Sequence, residues 1–293
     1  MHTSQQTRAY AFALTAVLFW STVATAFKLT LRVLAPAQML LGASLVAALC
    51  LLALLAASGR LHLLRRGGVR GLLRSALLGL LNPFLYYLVL FKAYSLLPGQ
   101  EAQPLNFTWA IALAILSVPL LGQRIRPLGF VAILVSFAGV YIISTRGDLL
   151  SGRFTDPLGV SLALGSSVVW ALFFIYSLRD ERDEVVKLCL SFSWGFVFTL
   201  IYVTATGQLS WPTGPALWGT VYIGLFEMGL TFAIWLKALK LSRTTAQVSN
   251  LIFLAPFVSL VLLNLVAGER IYPSSIVGLA FIVTGIVMQR RLG

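Results

Sequence analysis

The sequence predicts an all-α integral membrane protein whose ten transmembrane helices form two five-helix repeats of inverted topology. Three observations carry this expectation. Of 293 residues, 59% are hydrophobic and only 11% charged, where an ordinary soluble domain carries about 25% charged residues. The apolar residues fall into ten runs close to the ~20 residues that cross a hydrocarbon core. The last five runs then repeat landmarks of the first five in the same order.

The first run, 9–28, follows Arg8 and contains Ala24-Thr25-Ala26, which imitates a leader-peptide cleavage site. It has a counterpart later in the chain, in which Trp170 answers Trp20, so it reads as a retained span. The second run, 36–57, opens on Pro36, where a missing N–H costs little. The third, 72–97, holds Asn82-Pro83, a kink signal inside an apolar helix. Runs at 102–121 and 128–145 complete the first repeat, residues 1–147. The second repeat, 148–293, carries runs at 157–178, 186–206, 217–239, 245–267 and 273–290, two of them opened by Pro157 and Pro273.

The formal charge of +13 does not point to nucleic acid, because the basic residues sit in short connectors and at the tail. With the N-terminus inside, the inner segments hold sixteen of the 22 lysines and arginines, from Arg8 through Arg60, Arg65, Arg66, Arg70 and Arg74 to Arg290 and Arg291. That bias predicts both termini in the cytoplasm. Cys50 and Cys189 lie in apolar runs without paired spacing, and His2 and His62 lie in polar flanks. Neither pattern indicates a disulfide framework, a metal site or any other cofactor.

The repeat is read from several matches in one order. Ala102–Asn106 (AQPLN) returns as Ala246–Asn250 (AQVSN), which pairs Asn106 with Asn250. The stretch 122–127 (GQRIRP) returns as 268–273 (GERIYP). In the third span Gly79, Leu80, Leu85, Lys92 and Ala93 recur 145 residues later as Gly224, Leu225, Leu230, Lys237 and Ala238. Five spans per repeat is an odd number, so the second copy enters the membrane upside down. Inverted repeats of this kind build secondary transporters with a site near the midplane.

With these segments in view, the chain resembles the drug/metabolite transporter superfamily, in its EamA-type group of ten-span proteins. The most telling stretches are LGQRIRPLGFVAILVSFAGVYII and AGERIYPSSIVGLAFIVTGIVM. Within the group the chain is similar to the YddG-type exporters of aromatic amino acids, through Leu105–Ala110 (LNFTWA), although that branch usually has proline where Ala110 stands. The resemblance implies export from the cytoplasm across a bacterial inner membrane. It also implies a central cavity between the halves, with the fifth and tenth helices peripheral.

Candidate substrate-binding residues follow from depth and chemistry. Glu227 is a carboxylate in the middle of an apolar run, and such a residue is functional by default because it is costly to hold there. Asn82 occupies the equivalent depth in the first repeat, with Tyr86 one turn beyond it; an amide bonded to a neighbouring helix is the competing reading. Tryptophans gather at membrane interfaces, which suits Trp211, Trp218 and Trp235, yet Trp20, Trp109 and Trp170 fall well within their spans. These rings either pack helices or line an aromatic cavity. Asn106 precedes Trp109 by three residues, and Asn250 stands in its repeat position. Lys92 and Lys237 read as snorkelling side chains.

An intramembrane enzyme is the rival class. It would need paired histidines, paired acids or a Ser–His couple, and the apolar runs supply none of these. No phosphate-binding loop suggests direct ATP coupling. The sequence reading is therefore a secondary transporter that exports amino acids, aromatic ones among them, by alternating access. The alternative is efflux of cationic or aromatic drugs or metabolites through the same cavity. The expected partners are a small-molecule substrate and the lipid bilayer.

Overall fold

The computed structural model describes residues 2–122, 127–151, 153–242 and 250–292. Arg124, Arg126, Arg243 and the stretch 246–249 lie outside the described residues, as does the side chain of Asn250. Among the described residues all regular structure is helical. Eight helices are long and apolar enough to cross a membrane, and two shorter apolar helices, Leu251–Leu265 and Pro273–Gln289, occupy the predicted ninth and tenth spans.

Local chemistry explains the clean ends. Span two, Pro36–Ala57, and span six, Pro157–Leu178, both start on proline and match their expected bounds. The Asp156 carboxylate accepts from the Gly159 N–H at 2.8 Å, which satisfies one of the orphan donors of the first turn. Span seven, Glu184–Ala205, is capped in the same way by Asp183, which accepts from the Val185 and Val186 N–H groups. Span one runs from His2 to Leu31, longer than its apolar stretch, because its polar start continues the helix.

Four spans are interrupted, and the interruptions pair up. Span three consists of Gly68–Gly79 and Tyr86–Leu96, joined by π-helical Leu80–Leu85. Span eight consists of Gly214–Ile223 and Leu230–Leu241, joined by π-helical Gly224–Gly229. Span four breaks at Thr108, between Gly99–Phe107 and Trp109–Leu121. In span nine the described residues open with a 3-10 turn, Asn250–Leu254, before Ala255–Leu265. π-Helix makes up well under 1% of residues in globular proteins and collects at functional sites. Two such segments starting 144 residues apart therefore mark positions that matter in both repeats.

The causes differ. In span three, Pro83 lacks an N–H and pushes the preceding residue out of the helical region, and Asn82 is accordingly extended (φ −144°, ψ 118°). Span eight has no proline there; the Thr231 hydroxyl donates to the Phe226 carbonyl, which the widened turn exposes.

The chain divides into two compact units, and each draws spans from both sequence halves. The first comprises Met1–Leu80 with Arg182–Ala267. Within it span two lies along span seven, and span one lies against Leu230–Leu241 and Ala255–Leu265. Close approach is possible because of missing side chains. A Cβ on Gly79 would stand 2.5 Å from the Ser191 carbonyl, and one on Gly224 would stand 2.6 Å from the Val46 Cβ. The second unit comprises Leu81–Glu181 with Gly268–Gly293. Its most extensive pairing is span five with span ten, where Gly139 abuts the Gly278 carbonyl and Gly285 the Ala132 carbonyl. These glycines thus serve helix contact within the chain.

Candidate functional site

In the second compact unit, spans three, four and six bring a polar-aromatic cluster together. The Tyr86 ring lies 4.8 Å from Trp170, and Trp170 lies 6.5 Å from Trp109 in an edge-on arrangement. Tyr87, Phe173 and Phe174 extend the ring contacts. The Tyr86 hydroxyl donates to Asn106 Oδ1 at 3.1 Å, and Asn106 Nδ2 donates to Ser166 Oγ at 2.9 Å. Asn106 is thereby oriented from both ends. The Thr108 hydroxyl donates to the Leu105 carbonyl at 2.7 Å and lies 3.2 Å from Ser167 Oγ, which holds the break in span four against span six.

Asn82 enters the same unit from the π segment. It is 1% exposed, and neither its Nδ2 nor its Oδ1 has a hydrogen-bond partner among the described residues. Leaving a buried amide unsatisfied costs about 1–3 kcal/mol, so its retention calls for an explanation. The neighbouring-helix bond considered from the sequence is not made. The expected common face of Asn82 and Tyr86 also fails, because an extended residue and a π turn break the 3.6-residue register between them.

The first compact unit holds a separate cluster. Trp20 packs edge-on against Phe232 at 5.5 Å and Trp235 at 5.4 Å. Trp235 is half-buried beside Trp20, whereas Trp211 and Trp218 are exposed. Glu227 sits in the π segment of span eight and is partly buried. Beside it Phe226 touches Phe19 at 4.6 Å and Tyr222 at 4.7 Å, and the Tyr222 hydroxyl bonds Thr22 Oγ1 at 2.6 Å. The Lys237 ammonium stands 4.6 Å from the centre of the Phe12 ring, a cation–π contact that refines the snorkelling expectation.

Of the eight residues singled out from the sequence, Asn82, Tyr86, Asn106, Trp109 and Trp170 fall in one unit, and Trp20 and Glu227 in the other. Asn250 opens the 3-10 turn of span nine. Sequence reading missed Ser166, Ser167, Thr22 and Tyr222. Small polar residues on a strongly apolar helix, as in Gly165-Ser166-Ser167, were the available signal. It also placed Glu101 before span four; Glu101 lies in that span's first turn, 1% exposed, with its carboxylate 2.7 Å from Arg146.

With regular structure that is all helical among the described residues, and eight membrane-length helices and two shorter apolar ones among them, the chain is a multi-pass membrane protein of the two-repeat transporter kind. It belongs to the EamA-like transporter family, whose sequence profile matches residues 7–145 and again 157–290. It is 27% identical over 293 residues to an uncharacterized transporter of Clostridium kluyveri, covering 96% of this chain and 93% of that one. It is 28% identical to the uncharacterized transporter YvbV of Bacillus subtilis, covering 71% and 68%. It is 26% identical to the aromatic amino acid exporter YddG of Ancylobacter novellus, covering 63% and 64%. One crystal structure superposes with a TM-score of 0.66 at 23% identity, over 97% of this chain and 98% of the other, which supports the fold. Family and relatives together make this chain a transporter and not an enzyme.

Proposed function

We propose that the chain is a secondary transporter that exports amino acids, aromatic ones among them, from the cytoplasm across a bacterial inner membrane by alternating access. The observation that carries this reading is the buried, unpartnered Asn82 amide in the unit that holds Tyr86, Trp109 and Trp170. An amide N–H2 is a hydrogen-bond donor, which suits the carboxylate of an amino acid. Aromatic faces suit its ring. The similarity to an aromatic amino acid exporter supports the same substrate class.

The test is transport by the purified protein in liposomes, with a panel of amino acids and with or without a proton gradient. Tryptophan, phenylalanine and tyrosine are expected to move, and Trp109→Ala or Trp170→Ala to lower their transport several-fold. Ring stacking is worth about 0.5–1.5 kcal/mol beyond burial, which sets that magnitude. Variants that reach the membrane and transport the aromatic substrates normally would reduce these rings to helix packing.

A second reading, efflux of aromatic organic cations, draws on Glu227 and its neighbouring rings. An aromatic quaternary ammonium compound in the same panel separates the two, since only this reading expects it to outpace every amino acid.

The orientation proposal is tested apart from transport. Single cysteines at the exposed positions Arg66 and Glu181 should react with a membrane-impermeant maleimide only from the cytoplasmic side. One at exposed Leu209, between spans seven and eight, should react only from outside. The reverse pattern would overturn the cytoplasmic placement of the termini.

A further inference from the structure

The connector between spans two and three, together with the first two turns of span three, carries a composition that transport leaves unused. Residues 60–74 hold Arg60, Arg65, Arg66, Arg70 and Arg74 and no acid at all. Arg60 is engaged by Asp183 at 2.9 Å, while Arg65, Arg66 and Arg70 are exposed. Interleaved with them, Val69 and Leu73 are 73% and 67% exposed. Outward-turned apolar side chains alternating with arginines suit a segment lying in the headgroup layer, where the apolar groups sink and the cations meet phosphate. The connector is also fixed in place. The Arg60 N–H donates to the Leu55 carbonyl at 2.9 Å, and the turn Leu61–Arg65 rests on spans two and seven.

A groove on span two ends where this connector begins. It is an open groove of about 580 Å³ with an almost wholly apolar lining, its walls including Val46, Cys50, Ala53 and Ala57, with Leu225 from span eight. From Val46 to Ala57 the helix rises ~16 Å at 1.5 Å per residue. One leaflet of a ~30 Å hydrocarbon core is ~15 Å deep. At its far end Val46 packs against Gly224, the first residue of the π segment that carries Glu227.

We propose that the groove and the connector form one site for an anionic phospholipid, with an acyl chain along Val46–Ala57 and the phosphate among Arg65, Arg66 and Arg70. A zwitterionic lipid fills the groove equally well but brings its own ammonium to a cluster that already holds three exposed guanidinium groups. Charge therefore selects the headgroup and the groove retains the tail. Both features belong to the first compact unit.

The full-length protein, purified in detergent and examined by native mass spectrometry, provides the test. Dioleoylphosphatidylglycerol should be retained at least about fivefold more than dioleoylphosphatidylethanolamine, the ratio that the ~1 kcal/mol of a single arginine gives. The triple variant Arg65→Gln, Arg66→Gln, Arg70→Gln should bind the two lipids equally while melting at the wild-type temperature. Ala53→Trp, which fills the groove, should lose both lipids. Soluble glycerol phosphate should neither bind nor displace the anionic lipid. Equal retention by the wild type, or a preference that survives in the triple variant, would overturn the proposal. So would lipid binding undisturbed by Ala53→Trp, or effective competition by glycerol phosphate. Should the triple variant fail to fold, the single Arg→Gln variants must each show a graded loss of preference.

Discussion

Asn82→Leu is expected to abolish amino-acid transport while leaving the protein at least as thermally stable as the wild type. The two halves of this result have one cause. Asn82 is buried with both amide atoms unpartnered, so the folded state carries a desolvation cost of about 1–3 kcal/mol that a leucine of similar size removes. The backbone makes no objection, because φ −144° and ψ 118° are extended values that leucine adopts readily. If the amide is kept for a substrate, its loss removes the hydrogen bonds that compensate it in the bound state. Each bond to a charged group is worth about 1.5–3 kcal/mol, so initial uptake in liposomes should fall roughly tenfold or more. Melting temperature in detergent supplies the second readout. A variant that transports at the wild-type rate would make Asn82 a feature of the kink alone, and a destabilised one would show that the amide supports the fold.

Glu227→Gln is the second change with a large expected effect. The carboxylate lies in a π turn at mid-span, where an acid must be neutralised, paired or hydrated. We propose that Glu227 receives the substrate's ammonium group, directly or through water. Glutamine keeps the shape and removes the charge, so transport of amino acids and of organic cations should fall roughly ten- to a hundredfold, the worth of one charge-assisted hydrogen bond of about 1.5–3 kcal/mol. Loss of gradient dependence with exchange intact would assign the acid to proton movement instead. Wild-type rates across the panel would leave Glu227 a structural acid.

Composition and run length alone determined that the chain crosses a membrane many times, because a segment of ~20 apolar residues has no other stable home. The repeat matches, Gly79 with Gly224 and Asn106 with Asn250, were equally legible, since they are properties of order along the chain. So was the suspicion attached to Glu227, which follows from the cost of a charge in hydrocarbon. The tertiary structure decided which side chains meet. Trp20 joins Phe232 and Trp235, whereas Trp170 joins Tyr86 and Trp109, although Trp20, Trp109 and Trp170 read alike as mid-span aromatics. It also decided that, among the described residues, the Asn82 amide has no hydrogen-bond partner and spans three and eight widen into π turns. The reason is physical. In lipid the outward and inward faces of a helix are both apolar, so periodicity does not reveal neighbours. Neighbours are set by where backbones can approach, at Gly79 on Ser191, Gly224 on Val46 and Gly139 on Gly278, and that is a matter of shape in three dimensions.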